Sequence, residues 1–207
     1  ALLASLQLDL VCDFRRVEEQ LGDPSRLPGV RPPKVLSLPI TPGSNAKFFE
    51  QVAGDFGGRQ AMFDFMVDIN TDFAVAQTST YKRMFAEILD VHDARFLVHC
   101  AAGKDRTGFA AAMVLAALGV ERDVILRDYL MTARYFIADF ELDRIRQKYQ
   151  MDSPSEAILP MLQVHEDYLS AALCAIDVRY PSIEVYLAEE LGVGAAELSE
   201  LRGRYLQ

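Results

Sequence analysis

Cysteine and histidine are scarce in this chain, three of each, and neither clusters. Cys12, Cys100 and Cys174 make an odd count at wide spacings, which excludes a disulfide framework and a paired-cysteine zinc site. Reduced thiols in a cytoplasm-like compartment follow. No apolar run approaches the ~20 residues that span a bilayer; the longest, Phe109 to Val120, is far shorter. No integral membrane segment is therefore expected. The opening "ALLASLQLDL" lacks a basic n-region and runs straight into a strand-like pattern, so it reads as fold and not as a signal peptide. A basic stripe is missing too. The net charge is −9, and residues 151 to 200 carry all of that excess, with ten acids against Arg179 alone. This excludes a nucleic-acid role and means that any anion site is built locally, by a few groups. Internal repeats and low-complexity segments are absent.

What remains is a chain of 207 residues with 51% hydrophobic content, enough for one sizeable core and one domain spanning 1–207. "LQLDLVCDF" (6–14), "KVLSLPI" (34–40) and "ARFLVHC" (94–100) read as strands, the last as a near-continuous apolar run of the kind buried in a parallel sheet. "NAKFFEQVAG" reads as a short helix with Phe48, Phe49 and Val52 on one side, and residues 60–74 as a second. "STYKRMFAEILD" (79–90) places Met84, Phe85, Ile88 and Leu89 on one helical face. "RTGFAAAMVLAALG" (106–119) is apolar almost all round, which predicts a central helix closed by Gly119. Beyond it the chain is helical, with Pro160 expected to kink a helix over 155–177. The pattern is an α/β fold: a small, mostly parallel central sheet flanked by helices, with a helical C-terminal elaboration.

The densest chemistry lies in "LVHCAAGKDRTG". Cys100 falls at the carboxyl end of the third strand, where ligands bind in open parallel sheets. Ala101, Ala102, Gly103, Lys104, Asp105 and Arg106 then turn the chain into the next helix. Backbone N–H groups in such a turn form a nest for an anion at a helix N-terminus. Gly103 and Gly108 allow positive φ or close approach. The same field lowers a thiol pKa from about 8.5 to ~3.5–7.5, making Cys100 a nucleophile at neutral pH. The planar fork of Arg106 suits two oxygens of a phosphate. Phosphoryl transfer to sulfur and then to water fits this set. Asp105 is the candidate general acid. Thr107 is placed to donate to the Cys100 sulfur, and Lys104 to add a second positive charge at the rim. His99 is expected to order the loop. Asp13 and Arg15, at the end of the first strand, read equally as rim groups bracing the loop or as a surface ion pair. A protective Cys12–Cys100 disulfide under oxidation is a further expectation. No metal and no cofactor is called for. A nucleotide-binding P-loop is excluded, since Val98 stands where its first glycine belongs and Asp105 follows Lys104.

"HCAAGKDRTG" resembles the signature of the Cys-x5-Arg protein-tyrosine phosphatases, in a bacterial branch that also accepts phosphoserine, phosphothreonine or phosphoinositides. "VCDFRRVEE", "YKRMFAEIL", "RDVILRDYL" and "YLSAALCAIDVRYPSIEVYL" extend the resemblance over nearly the whole chain. It implies Cys100 as nucleophile, Arg106 as phosphate clamp, Asp105 as acid, and a phosphotyrosyl protein or phosphoinositide as substrate. The branch lacks the mobile acid-bearing "WPD" loop of the animal enzymes, and this chain has no tryptophan. Asp64, Asp68 and Asp72 are the alternative acids. By analogy, residues 130–165 form a helical lid. A catalytically silent phosphate-binding module and a sulfurtransferase or arsenate reductase share the thiolate-nest logic; the intact Cys, Asp and Arg disfavour the first, and Asp105 the second.

Overall fold

A computed structural model of the chain describes residues 2–41, 58–91, 94–135 and 155–206. A short helix α1 (Leu2–Leu6) ends at Gln7, whose φ of 51° turns the chain before β1 (Leu10–Asp13). The strand therefore starts later than the alternation from residue 6 suggests. β1 is buried at all four positions and leads into α2 (Val17–Gly22). β2 (Lys34–Ser37) and β3 (Phe96–His99) complete a parallel sheet in the order β2-β1-β3. In β2 only Leu36 is buried, as befits an edge strand.

Between β2 and β3 lie α3 (Gly58–Val75) and α4 (Thr78–Asp90). α3 buries Met62, Met66, Ile69 and Phe73, spaced by three and four residues, so the helical reading of that segment holds. α4 buries Met84, Phe85 and Ile88 of the face its sequence marks out, adds Tyr81 one turn earlier, and leaves Leu89 half-buried. After β3 comes α5 (Asp105–Ala117), the central helix, which buries Phe109, Ala110, Ala112, Met113, Ala116 and Ala117. Its end is a Schellman motif: Gly119 N–H donates to Ala116 O (2.9 Å) and Val120 N–H to Leu115 O (3.0 Å), with Gly119 at φ +84°. Each fully buried Phe, Leu, Ile or Met in this core contributes about 1.5–3 kcal/mol.

α6 (Arg122–Leu130) and a 3-10 turn (Met131–Arg134) follow, then α7 (Ser155–Leu162), α8 (Glu166–Arg179), α9 (Ile183–Glu189) and α10 (Ala195–Tyr205). The chain over 155–177 is two helices. Pro160 is accommodated inside α7, and the break falls beyond it, where His165 Nδ1 accepts from Asp167 N–H (3.3 Å) and caps α8. α7 is core, with Ile158 and Leu162 buried against α3. The rest of the segment read as a lid, 136–154, and the expected helix around Phe48 lie outside the described residues. α10 closes the fold: Arg204 donates to the carbonyls of Ile88, Leu89 and Val91 at the end of α4, and Tyr205 Oη to Ala94 O (2.8 Å). Among the described residues no helix is long and apolar enough to cross a membrane.

Candidate active site

All three strands run the same way, so Asp13, Ser37 and His99 end in register at one edge of the sheet. Backbone pairing continues one step further, where Phe14 N–H donates to His99 O (2.8 Å). This brings the start of α2 beside the loop that leaves β3. Cys100 is the first residue of that loop and is 8% exposed. Gly103 adopts φ +65°, a conformation that strains any side chain. Gly108, in the first turn of α5, is needed for another reason: a Cβ there would meet the Tyr129 ring at 2.7 Å. The side chain would have to displace a packed aromatic from α6.

Arg106 enters the core, 8% exposed, directed toward the end of β1. Its Nη1 donates to Phe14 O (3.1 Å), Glu19 Oε2 (3.1 Å) and Ile40 O (3.3 Å), and Tyr81 Oη reaches its carbonyl (3.3 Å). The Nε and Nη2 groups make no hydrogen bond among the described residues. Burial opposes the charge of Arg106, but Cys100 and Glu19 beside it hold it protonated. Burial also works against ionised Glu19, yet Arg106, together with Arg16 N–H (2.9 Å), draws its carboxyl down to about 2. A cavity of about 370 Å³ opens above Cys100 and Ala101, walled by Arg15, Arg16, Glu18, Glu19, Gly22 and Asp23.

Asp13 and Arg15 are both buried, so the reading as a surface ion pair is excluded. Arg15 donates its backbone N–H, Nε and Nη2 to the Asp13 carboxylate, and its remaining reach ties Asp23 O (2.7 Å) and Ser25 Oγ (2.8 Å). Burial pushes the Asp13 carboxyl up, but the Arg15 bonds outweigh it and leave it below its ordinary range. His99 Nε2 lies 3.6 Å from the same carboxylate.

Lys104 departs from the reading as a rim cation. Its side chain is 1% exposed, with Nζ donating to Met161 O (2.7 Å) and Gln163 O (2.9 Å) and lying 3.3 Å from Asp105 Oδ2. The charge is drawn away from the cavity by the carbonyls that α7 leaves unpaired at its C-terminus. Thr107 departs as well: its hydroxyl is buried and makes no hydrogen bond, to Cys100 or to any other described residue. Asp105 Oδ1 and Tyr129 Oη are likewise buried without partners among the described residues. Asp64, Asp68 and Asp72 all lie on α3, and neither they nor Asp105 are among the described residues lining the cavity at Cys100.

Cys12 pairs in register with Val98, two residues short of Cys100. Strand spacing of about 4.8 Å and a rise of about 3.3 Å per residue put the two Cα atoms roughly 8 Å apart, past the ~7 Å a disulfide spans without backbone movement. Burial, with a smaller push from Glu87, raises the Cys12 thiol to about 12. The protective disulfide therefore has neither the reach nor the thiolate it needs.

Glu19 is the functional side chain that the sequence reading missed. It sits beside Glu18 in "RRVEEQ". The usable signal is position: a glutamate three residues into a helix folds back onto the N-cap amide, which here turns it toward Arg106.

A sulfur at a strand end, next to a buried arginine that opens the following helix, marks a thiol-dependent phosphate-ester hydrolase. The chain belongs to the tyrosine phosphatase family, which matches it over residues 1–207. It is 34% identical over 206 residues to a Cupriavidus necator protein assigned by name as a tyrosine-protein phosphatase, covering 99% of this chain and 72% of that one. It is 36% identical over 121 residues to the triple specificity protein phosphatase PtpB of Mycobacterium tuberculosis, covering 52% of this chain and 42% of the relative. A tyrosine-protein phosphatase of Nostoc commune shares 30% identity over 128 residues, 60% of this chain and 43% of that one. The chain thus spans less than half the length of the last two relatives. Family membership makes it a protein-tyrosine phosphatase with phosphoproteins as its substrate class.

Proposed function

We propose that the chain hydrolyses phosphate monoesters through a phosphocysteine intermediate, acting on phosphotyrosyl proteins and, as the name of the mycobacterial relative suggests, on further phosphorylated substrates. Phosphoinositides are the non-protein class within this proposal. The observation that carries it is the juxtaposition of Cys100 with a buried Arg106 whose Nε and Nη2 make no hydrogen bond among the described residues. In the first step the Cys100 sulfur attacks phosphorus; an S–P bond forms as the P–O bond to the leaving group breaks. Arg106 and the amides from Ala101 to Thr107 hold the equatorial oxygens, where charge is borne in the transition state. Asp105 delivers a proton to the leaving oxygen. In the second step Asp105 takes a proton from water as that water attacks phosphorus, and the S–P bond breaks to return the sulfur and release phosphate. Asp13 and Arg15 hold the neighbouring strand end in place.

Hydrolysis of p-nitrophenyl phosphate in the presence of EDTA tests this reading. Vanadate inhibits the reaction, and Cys100→Ser lowers kcat by at least ~10³-fold, in line with loss of a covalent nucleophile. Undiminished turnover in Cys100→Ser refutes the proposal. Comparing rates on phosphotyrosyl peptides and phosphoinositides then ranks the substrates.

A further inference from the structure

We infer that Lys104 is a positioning residue: its ammonium is a strut between the catalytic loop and α7, holding Asp105, and does not contact the substrate phosphate. The kinetic side of this inference rests on the phosphatase reading above; the structural side does not.

An ammonium has three N–H donors and no acceptor. All three have protein oxygens within reach: Met161 O at 2.7 Å, Gln163 O at 2.9 Å and Asp105 Oδ2 at 3.3 Å. The Tyr168 ring covers the same group, its centroid 5.8 Å from Nζ. For a phosphate oxygen to reach it, one of these part-buried carbonyls would have to give up its donor, which costs the hydrogen bond. The carbonyls concerned belong to the end of α7, where unpaired C=O groups and the negative end of the helix dipole attract a cation. Tyr168 Oη takes the next one, Pro160 O, at 3.0 Å. The C-terminus of α7 is therefore capped by two side chains, one from the catalytic loop and one from α8.

The consequence falls on Asp105. Its Oδ2 faces the ammonium, while Oδ1 is buried without a partner among the described residues. Lys104 thus fixes the orientation of the Asp105 carboxyl, and it ties that orientation to the packing of α7 on α3. A residue acting this way alters proton delivery and leaves phosphate binding alone.

Two measurements decide the matter. The first uses the wild-type protein: acetylation by acetic anhydride at neutral pH, read by mass spectrometry with and without orthovanadate. Lys34 and Lys82, both exposed, react, while Lys104 stays roughly tenfold or more behind them, with or without the anion, as its burial requires. A Lys104 that reacts in the free enzyme and is shielded by vanadate overturns the inference, because its ammonium then faces the anion site. The second is kinetic. Lys104→Met keeps the vanadate inhibition constant within about twofold of wild type. It lowers kcat about tenfold on phenyl phosphate and far less on 2,4-dinitrophenyl phosphate, whose leaving group needs little protonation. Adding Asp105→Asn brings little further loss on phenyl phosphate, since both changes remove one function. A vanadate constant that rises in step with KM overturns the inference, as does an equal loss on both esters. Should Lys104→Met fail to fold, the acetylation result stands by itself. If wild-type protein hydrolyses no phosphomonoester, the phosphatase reading fails, and the acetylation pattern still tests the strut.

Discussion

Two cations stand two residues apart in the catalytic loop, and the two flanks of the loop treat them differently. On the α7 side, Lys104 hydrogen-bonds to two backbone carbonyls and pairs with the Asp105 carboxylate. On the α2 side, the hydrogen bonds that anchor Arg106 among the described residues all come from Nη1, with none from Nε or Nη2. Both are buried, so burial does not distinguish a structural charge from a functional one. The count of donors against acceptors does. The geometry of the groups explains the assignment: a guanidinium can be held at one nitrogen and still present a planar edge, whereas an ammonium is a point charge whose donors converge on one atom.

The comparison breaks most easily at Arg106. Arg106→Lys retains a positive charge but loses the planar edge, and kcat/KM is expected to fall by about 10²–10³, the range for removing a transition-state oxyanion donor. An effect below tenfold would show that charge alone suffices and would erase the contrast with Lys104. Glu19→Gln sharpens it from the anchoring side. With the counter-charge removed but a side-chain oxygen kept, Arg106 loses orientation and kcat/KM drops about tenfold, within the usual effect of a residue supporting a ligand-binding group. The same variant has a stability signature. The Glu19 carboxyl sits at about 2 when folded against an ordinary 4.5, so its contribution is complete above pH 4.5 and fades as pH falls toward 2. Urea midpoints of wild type and Glu19→Gln should therefore converge over that window; parallel curves would show that Glu19 is not ionised against Arg106. The smallest effect is expected at Cys12, remote from both flanks. At neutral pH iodoacetamide should label Cys100 and the exposed Cys174 and spare Cys12, so Cys12→Ala leaves the stoichiometry unchanged by mass spectrometry.

Local pattern carried much of this into view. The strand before Cys100, the face of α4 and the glycine closing α5 were all legible, because each follows from spacing or from a residue with one conformational use. Cys100 and Arg106 were legible because polar groups at those positions have no packing role. The direction of Lys104 was not, since its partners lie nearly sixty residues further on and are backbone carbonyls, which no side-chain motif encodes. The missing Thr107–Cys100 bond was likewise out of reach, because a hydroxyl's choice of partner depends on rotamer and not on sequence position. Pro160 misled for a related reason: proline opposes helix interiors in general, but tolerance near the end of a short helix depends on what packs around it.

The parallel sheet has one further consequence, for the order in which the chain acquires reactivity. The central strand is made first and its partner β3 more than eighty residues later, and Arg106 reaches back ninety-two residues to Phe14. During synthesis the cysteine thus emerges before the fold around it is secured, and α10, which fastens the end of α4, arrives later still. Long-range pairing of this kind is slow to form. An amino-terminal fragment should therefore carry the sulfur without the chemistry, so that a nascent or truncated chain is spared the liabilities of an activated thiol.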